Sequence, residues 1–382
     1  MTVSKVFFTD LKGSPWKSLI DKLDGLMDRS DLKGKIEEKD LVAIKLHFGE
    51  EGNTSFVSPP FIRRVVDRIN RHKGKPFLTD TNTLYAGSRS ETVSHMATAY
   101  LHGFTFSVVD APIVIADGLR GNSSVQVKID RPIFETVSIA REIHMADALI
   151  CVTHFKGHEL SGFGGALKNL GMGCASREGK LSQHSTLSPK IKRKTCTGCK
   201  RCLPWCPTEA LSMIFLSPEI EKKREVACID PKRCIGCGEC ILTCPTGAIQ
   251  IRWDGDAALF QKKMVEYAYG ATRKKQGKTF CISFLTQITP ACDCNPFSEI
   301  QVVNDIGILA SEDPVAIDQA SVDLVNQEEG NRSSKLQKNW NRGEDKFRAI
   351  YPEIDWSIQL AHGEEIGLGT RQYELVTSRD RP

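Results

Sequence analysis

Hydrophobic residues in this chain recur with two kinds of spacing, one typical of strands and one typical of helices. The pattern predicts that strands and helices alternate along the chain. Short apolar runs, typical of buried or half-buried strands, occur at 41–46, 76–79, 106–109, 113–116, 125–129, 148–152, 280–284 and 306–309. Segments with apolar residues at helical spacing occur at 61–70, 91–102, 141–146, 256–275 and 314–326. Strands that alternate with helices predict an α/β layer architecture, here a large mixed-sheet α/β domain.

A cysteine-rich stretch interrupts this alternation. We therefore expect one discontinuous α/β domain of residues 1–190 and 253–382, with residues 191–252 inserted as a separate module. The alternative is three units in series, but no long Gly/Ser linker follows Arg252, which favours the insertion. The tail beyond Gly330 is polar and is expected to wrap the surface.

The inserted stretch carries the motif C-x2-C-x2-C-x3-C-P twice. Eight thiolates at this spacing indicate two 4Fe–4S clusters, because two residues between ligands let a tight loop direct three sulfurs at one cluster. The fourth cysteine of each run leads away from its loop and is expected to bind the other cluster. The predicted ligand sets are Cys196, Cys199, Cys202 and Cys244 for cluster one, and Cys234, Cys237, Cys240 and Cys206 for cluster two.

Two other interpretations of this motif use the same cysteines. Zinc sites usually take four ligands as two separated C-x2-C pairs, which is a different spacing. Iron–sulfur clusters could also be purely structural. The stretches T-C-T-G-C-K-R-C-L-P-W-C-P-T-E-A-L and R-C-I-G-C-G-E-C-I-L-T-C-P-T-G-A-I resemble the bacterial two-cluster ferredoxins. This resemblance implies a small βαββαβ module with pseudo-two-fold symmetry that transfers single electrons.

Composition and net charge limit the class of protein and the partners that we expect. Of 382 residues, 40% are hydrophobic and 26% are charged, which is ordinary for a globular chain with a sizeable core. The formal net charge of +4 is small for this length, so we expect no nucleic-acid binding. The basic run 190–194 could steer an acidic redox partner protein, or it could be a solvated face.

The cysteine usage and the N-terminal segment suggest a compartment. The 14 cysteines do not read as a disulfide framework, and cluster assembly needs reduced thiols. The N-terminal segment lacks a cleavable signal architecture, and no apolar stretch has the length of a membrane span. We therefore expect a cytoplasmic protein with no integral membrane segment.

A second group of candidate residues follows the apolar run 148–152. In open α/β sheets, ligands gather beyond the carboxyl ends of strands, and this run leads into a segment rich in histidine, lysine and glycine. A glycine-rich turn that runs into a helix could also present N–H groups to an anion. The alternative is a glycine loop with satisfied polar side chains. The candidate catalytic residues are His154, Lys156, His158, Lys168 and Asn169, together with His47 beyond another strand.

Two further polar segments lie beyond predicted strands. Glu50 and Asn53 follow the run 41–46, whereas Asp80 and Tyr85 follow the run 76–79. Together with the histidine segment they would form one cleft, although each alone is also typical of a turn with capping residues. A lone histidine such as His47 is often a hydrogen-bonded structural residue.

Cys292 and Cys294 form a C-x-C pair outside the doubled motif. Such a pair could bind a metal ion or act through a reactive thiolate. Two turn cysteines in a reducing compartment would look the same. The remaining cysteines at 151, 174 and 228 lack ligand spacing and are expected to be small packing residues.

Four segments of the chain share a second resemblance. The stretches K-L-H-F-G-E, D-T-N-T, G-H-E-L-S-G-F-G-G-A-L-K-N-L-G-M-G and S-E-D-P-V-A-I-D-Q-A-S resemble the uncharacterised iron–sulfur-center proteins of the domain of unknown function 362 family. The resemblance covers nearly the whole chain. It implies this architecture with an inserted ferredoxin module and an anaerobic metabolism, but it implies no substrate.

Three functions fit these observations. The first is an iron–sulfur oxidoreductase, in which two 4Fe–4S clusters relay electrons to a substrate or metal site in the α/β domain; a small anionic substrate would suit the lysines. The second is an electron-carrier subunit that docks a partner redox enzyme. The third is a cofactor or metal delivery protein that loads at Cys292 and Cys294. The segment S-G-F-G-G-A does not complete the nicotinamide fingerprint.

Overall fold

The computed structural model describes residues 3–184, 188–215, 225–251 and 256–377. The strands in these residues are β1 (Ser4–Asp10), β2 (Leu41–Lys45), β3 (Lys75–Asp80), β4 (Ile113–Ile115), β5 (Ser124–Lys128), β6 (Thr136–Ala140), β7 (Ala148–His154), β8 (Lys156–His158), β9 (Gly162–Gly164), β10 (Lys190–Ile191), β11 (Leu211–Phe215), β12 (Glu225–Ile229), β13 (Ile249–Gln250), β14 (Thr279–Leu285), β15 (Gly307–Ser311) and β16 (Tyr373–Thr377). The α-helices are α1 (Leu19–Arg29), α2 (Pro59–Arg71), α3 (Thr92–Leu101), α4 (Phe106–Val109), α5 (Arg141–Met145), α6 (Ala166–Gly171), α7 (Arg177–His184), α8 (Glu239–Thr243), α9 (Ala257–Arg273), α10 (Pro314–Gln327), α11 (Lys346–Ile350) and α12 (Ser357–Glu365).

One eight-stranded mixed sheet organises the α/β region, in the order β16-β1-β15-β14-β7-β2-β3-β4. The strands from β14 to β4 in this order run parallel, whereas β15 runs antiparallel to both of its neighbours. Strands from before and after the cysteine-rich region therefore pair side by side in this sheet, as β7 and β14 do. The predicted mixed-sheet α/β architecture is confirmed.

The central strand β7 shows how the sheet separates two cores. All seven of its residues are buried, and its side chains alternate between the two faces. Leu149 and Cys151 face a core formed with α6, α9 and α10. Ile150 and Val152 face a second core, formed with α1 and α2. Burial on both faces explains why the strand reads as a continuous apolar run.

The cysteine-rich region contains two short antiparallel pairs in the described residues. Strand β10 pairs with β13, and β11 pairs with β12. A short 3-10 helix, Leu203–Trp205, precedes the first hairpin strand, and α8 follows the second one. These elements share a small apolar core, which includes Val226, Ala248 and Ile249.

Two sequence-based predictions about this fold were wrong. The run 106–109 forms α4, a single helical turn, because Val109 alone is buried while Phe106 is 62% exposed. The tail beyond Gly330 does more than wrap the surface, since Phe347 and Leu360 are fully buried and β16 extends the sheet. Among the described residues, no helix combines the length and apolar character needed to cross a membrane.

Candidate functional site

A cavity of about 790 Å³ opens beyond the carboxyl ends of β2, β3 and β7. This is the edge of a parallel sheet where ligands usually bind. Basic and histidine side chains dominate the polar lining of the cavity, which also has four acidic groups. The ionisable lining residues are Lys45, His47, Glu50, Glu51, Asp80, Tyr85, Arg89, Lys156, His158, Glu159, Lys168, Lys180, His184 and Cys294.

Asp293 lies beneath one wall of the cavity and stabilises it through two side-chain contacts. Its carboxylate accepts from Nδ1 of His154 at 2.9 Å and pairs with Nζ of Lys156 at 3.2 Å. Burial opposes ionisation of Asp293, but the interactions with His154 and Lys156 keep the pKa of its carboxyl well below the ordinary value. Nε2 of His154 donates to the carbonyl of Thr286 at 2.8 Å. Both ring nitrogens of His154 are therefore engaged, and its ring fixes Asp293.

Helix α6 is anchored by a residue from a distant part of the chain. The carboxylate of Asp318 accepts from the N–H groups of Ala166 and Leu167, at 2.7 and 2.9 Å. A Cβ on Gly165 would lie 2.2 Å from Oδ1 of Asp318, so the contact requires glycine there. The prediction that these N–H groups bind an anionic ligand is wrong, because both already donate to the carboxylate of Asp318. Burial raises the pKa of Asp318 to about 7.

Asn169 on α6 ties the helix to the ends of two strands. Its Nδ2 donates to the carbonyl of Val152 at 2.9 Å, and its Oδ1 accepts from Nζ of Lys45 at 2.7 Å. Lys45 also pairs with Asp80 at 2.9 Å. Burial opposes the charge of Asp80, but Lys45 and nearby groups keep the pKa of this carboxyl well below the ordinary value. The arrangement fixes the helix from which Lys168 extends.

The ion pairs of Asp80 continue to Arg89 and Glu50, which also line the cavity. Arg89 pairs with Glu50 at 3.2 Å and with Asp80 at 3.3 Å. The hydroxyl of Tyr85 donates to Glu50 at 2.9 Å. Arg89 is only 2% exposed, and Glu50 only 4%, so the network is buried and rigid.

His47 and His158 are neutral histidines at the cavity. Removal from bulk water lowers the pKa of each well below the ordinary value, and nearby cations lower it further. Nδ1 of His47 accepts from the N–H of Gly49 at 2.9 Å, and Nδ1 of His158 accepts from the N–H of Leu160 at 3.2 Å. With Nδ1 as acceptor, the proton of each neutral ring lies on Nε2.

Lys180 reaches the cavity from α7. Its Nζ donates to the carbonyl of Thr81 at 3.2 Å, to the hydroxyl of the same residue, and to the carbonyl of Asn82. Burial lowers the pKa of Lys180 to about 8. Because three acceptors surround this ammonium group, Lys180 stabilises the turn after β3.

Lys168 contacts the C-x-C pair. Its Nζ donates to Sγ of Cys292 at 3.3 Å. Burial disfavours the ammonium form, but the sulfurs of Cys292 and Cys294 raise the pKa of Lys168 above the ordinary value. In the described part of the chain, no three His, Cys, Asp or Glu side chains converge as a group that could hold a metal ion. Cys294 lines the cavity, whereas Cys292 is 1% exposed.

The cysteine-rich region has two small cavities of its own. Each is lined by three cysteines of one run and by the fourth cysteine of the other run. The first contains Cys196, Cys199, Cys202 and Cys244, and the second contains Cys234, Cys237, Cys240 and Cys206. The structure thus brings the eight motif cysteines together in the two predicted sets.

The crossing cysteines have matching surroundings in the two halves of this region. The N–H of Ala210 donates to Sγ of Cys206 at 3.1 Å, and the N–H of Ala248 donates to Sγ of Cys244 at 3.2 Å. Burial opposes ionisation, but these N–H donors and a neighbouring threonine hydroxyl lower the pKa of both thiols. N–H donors to sulfur suit thiolates that bind an iron–sulfur cluster.

One side chain connects the large cavity with the second cysteine set. Leu84 lines the large cavity and also packs in the apolar core of the cysteine-rich region. A Cβ on Gly238, which has φ +74° and follows Cys237, would lie 3.3 Å from Cδ1 of Leu84 and 2.9 Å from Cδ of Arg177. Arg177 also pairs with Glu239 at 3.4 Å. The loop of the second cysteine set therefore lies against the cavity wall.

Five of the six predicted catalytic residues line the large cavity: His47, Lys156, His158, Lys168 and Asn169. Among the described residues, His154 does not line the cavity. It lies beneath the cavity wall. Sequence reasoning missed Lys45, Arg89 and Lys180. The signal for Lys45 was a charged residue inside the apolar run 41–46. For the other two, nothing in the local pattern marks a site.

Comparison with known proteins gives a family and a distant structural likeness. The family model described as "Domain of unknown function (DUF362)" matches residues 42–323. No curated protein matches the chain. The structure of the lactate racemase apoprotein from Thermoanaerobacterium thermosaccharolyticum is similar over 74% of this chain, with a TM-score of 0.37 and 12% identity. The match spans about half, 51%, of that chain.

Proposed function

Since this chain belongs to the uncharacterised DUF362 family, we propose its function from its own geometry. It is an iron–sulfur redox protein that binds two 4Fe–4S clusters in residues 191–252 and supplies electrons to a small anionic substrate in the large cavity. The proposal makes the protein an oxidoreductase of the α/β class with an inserted ferredoxin-like module.

The crossed cysteine sets support the cluster part of the proposal. Cys196, Cys199, Cys202 and Cys244 would hold one cluster, and the other four motif cysteines the second. Each thiolate of such a cluster binds a different iron, so four sulfurs surround a space rather than converge on one ion. When bound, each cluster carries one electron at a time.

The contact between Leu84 and the Gly238 loop is the observation that carries the proposal. The second cysteine set then lies directly behind the wall of a large cavity that five basic side chains line. A carrier subunit would not need a substrate cavity. The cavity of about 790 Å³ therefore favours an enzyme over a simple carrier.

The residues around the cavity suit an anion that takes up protons as it is reduced. Lys168 and Lys156 supply positive charge to bind the anion. The neutral rings of His47 and His158 each hold a proton on Nε2 and are the proposed proton donors. His154 is proposed as a positioning residue, because it acts only through Asp293 and Lys156.

A protein redox partner would meet the first cysteine set. Cys199 is exposed, and the neighbouring Lys200 and Arg201 are exposed as well. The basic run 190–194 borders this surface in the sequence. An acidic face on the partner protein would complement these charges.

The cluster content is tested first, on protein purified without oxygen. We expect about eight iron and eight sulfide per chain in the wild type, since each cluster holds four of each. Cys202→Ala and Cys240→Ala, which fall in different sets, should each lose about half of both. Cys228→Ala is the matched control and should lose neither. Zinc in place of iron, or iron-free wild-type protein, would overturn the proposal.

The cavity is tested separately with phosphate as a probe anion. We expect phosphate to raise the thermal midpoint of the wild type, and Lys168→Met to abolish this increase without loss of iron. Lys200→Met, on the exposed surface, is the control that should keep the increase. An equal increase in wild type and Lys168→Met would exclude Lys168 from anion binding.

A further inference from the structure

We propose that Cys292 and Cys294 form a thiol–disulfide exchange site for small-molecule disulfides that enter the large cavity. The site goes beyond the proposed electron supply, and it does not depend on whether the cysteine-rich region holds clusters. The argument rests on the turn that carries the two sulfurs, on the charge beside one sulfur, and on the access to the other.

The two cysteines occupy a tight and firmly held turn. The N–H of Asn295 donates to the carbonyl of Cys292 at 3.0 Å, which closes a β-turn around the C-x-C sequence. The turn is fixed by the N–H of Glu50, which donates to the carbonyl of Asp293 at 2.9 Å. Asp293 between the cysteines is in turn held by His154 and Lys156. The sulfurs are therefore held close together on a rigid support.

The two cysteines are in direct contact, since the backbone N–H of Cys294 donates to Sγ of Cys292 at 3.4 Å. The thiol of Cys294 donates a hydrogen bond to Sγ of Cys292. This bond lowers the pKa of Cys292 to about 6 against the effect of burial, with a further contribution from Lys168, whose Nζ lies 3.3 Å from the sulfur. Lys156 also favours the thiolate, whereas Asp293 opposes it. At neutral pH the pair therefore carries one negative charge.

Three other charged or titratable groups lie near the pair. The hydroxyl of Tyr85 donates to the carbonyl of Cys294 at 3.0 Å. Glu159 acts on Cys294 through its charge. The hydroxyl of Tyr351 donates to the carbonyl of Pro290, two residues before the turn begins. None of these three groups provides a positive charge. Arg89 interacts with Cys294 through its charge, whereas the two lysines act on Cys292, the sulfur that carries the negative charge.

Access to the pair is unequal. Cys294 lines the cavity beside Asn295 and Pro296, whereas Cys292 is 1% exposed. A small disulfide in the cavity can therefore reach the sulfur of Cys294 first. Cys292, buried behind it, is placed to complete the reaction.

The proposed reaction balances with one proton from the cysteine pair and one from water. The proton of Cys294 passes to Cys292, and Sγ of Cys294 attacks one sulfur of the small disulfide R–S–S–R. The S–S bond of the small disulfide breaks, and the first R–S⁻ takes the proton that Cys292 received, so that Cys292 is again a thiolate. Sγ of Cys292 then attacks Sγ of Cys294 and releases the second R–S⁻, which takes a proton from water. The protein thiols are oxidised to a disulfide, and R–S–S–R is reduced to two R–SH.

The test uses bis(hydroxyethyl) disulfide with the full chain purified without oxygen. Chymotryptic cleavage after Leu285 and Phe297 yields a peptide, residues 286–297, that contains Cys292 and Cys294 but not Cys281. We expect the wild-type peptide to become lighter by two hydrogens, and excess dithiothreitol to reverse this change. A peptide that stays in the dithiol form, or that carries only a stable mixed disulfide, would overturn the proposal.

Single substitutions test the order of attack. Cys292→Ser should trap a mixed disulfide on Cys294, because the sulfur that completes the reaction is missing. Cys294→Ser should give at least about tenfold less mixed disulfide on Cys292, which is shielded. The reverse pattern, with trapping only on Cys292, would contradict the assigned roles. Cys281→Ala is the control that should exchange like the wild type.

The charge beside the pair is tested through a pH profile. The exchange rate of the wild type should level off above about pH 6, whereas that of Lys168→Met should still rise well above neutral pH. At pH 7 the Lys168→Met variant should react about tenfold more slowly, since fewer pairs are ionised while each thiolate is more nucleophilic. Lys168→Arg keeps the charge and should restore the early plateau. An identical profile in all three proteins would exclude the role of Lys168.

Discussion

The α/β region and the cysteine-rich region differ in the interactions that stabilise them. In the α/β region, two apolar cores cover both faces of the sheet, and buried charges such as Asp293 and Asp80 are paired. The cysteine-rich region has a small core, and Cys199 at its edge is exposed. A region of this size usually needs a bound group or a crosslink to fold stably. The first region thus carries its own stability, and the second is expected to depend on the two clusters proposed for it.

Removal of iron should separate the two regions most clearly. After chelation under denaturant-free conditions, we expect the amides of β11 and β12 to exchange hydrogen rapidly, because their small core is insufficient alone. The amides of β7 and β14 should stay protected. Hydrogen exchange read by mass spectrometry measures both regions in one sample. Equal protection of β11 and β12 with and without iron would show that the core suffices.

Asp293→Asn should produce the largest effect within the α/β region. The substitution removes the charge that His154 and Lys156 face, and a buried pair broken on one side typically costs about 3–5 kcal/mol. Urea unfolding, monitored on the α/β region, gives the change in the free energy of unfolding. Glu312→Gln removes an exposed partner of Lys35 and should cost less than about 1 kcal/mol. Similar losses in both variants would argue against the buried network.

His95 gives the α/β region a defined response to acid. Burial lowers the pKa of His95 to about 4, below its ordinary value of 6.5. The unfolded chain therefore binds the extra proton first as the pH falls from about 6.5 to 4, and stability is lost in this window. The loss attributable to His95 is at most roughly 3 kcal/mol. We expect the stability difference between wild type and His95→Gln to shrink toward pH 4; a difference independent of pH would refute this assignment.

The contact between the two regions should give the smallest effect. Arg120 lies 3.9 Å from the ring centre of Trp205 and pairs with Glu239 at 3.0 Å, but its side chain is 34% exposed. Arg120→Gln should therefore cost only about 1 kcal/mol, read as faster hydrogen exchange in the segment around Trp205. Arg201→Gln, on the exposed surface, should leave this exchange unchanged. A loss of iron in Arg120→Gln would mean that the contact is needed for assembly.

The sequence predicted those parts of the molecule that depend on local pattern or spacing. The apolar runs 148–152 and 280–284 predicted strands β7 and β14, because burial on both faces of the sheet favours apolar residues at most positions. Strand β1 was missed, since Val6 and Thr9 are its only buried residues among partly exposed neighbours. The crossed cysteine sets followed from a spacing that few other sites share.

The cavity depends on contacts between distant residues, and these were harder to predict. Asp318 holds α6 from about 150 positions away, and in the sequence it looked like an ordinary helix residue. The role of Arg89 at the cavity could not be predicted locally, because it depends on Glu50 and Asp80, which the ends of β2 and β3 bring beside it. His154 stood in a cluster of candidate residues, but the direction of its ring, toward Asp293, is set by tertiary packing.

Leu84 has one more consequence. Because this side chain belongs both to the cavity wall and to the packing around the second cysteine set, a guest molecule that displaces it must also disturb the loop at Gly238. Thermodynamic reciprocity then requires that a change in the oxidation state of the proposed clusters alter the affinity of the cavity for its ligand. The paramagnetic resonance spectrum of the reduced protein would thus report occupancy of the cavity, even for a compound that undergoes no reaction.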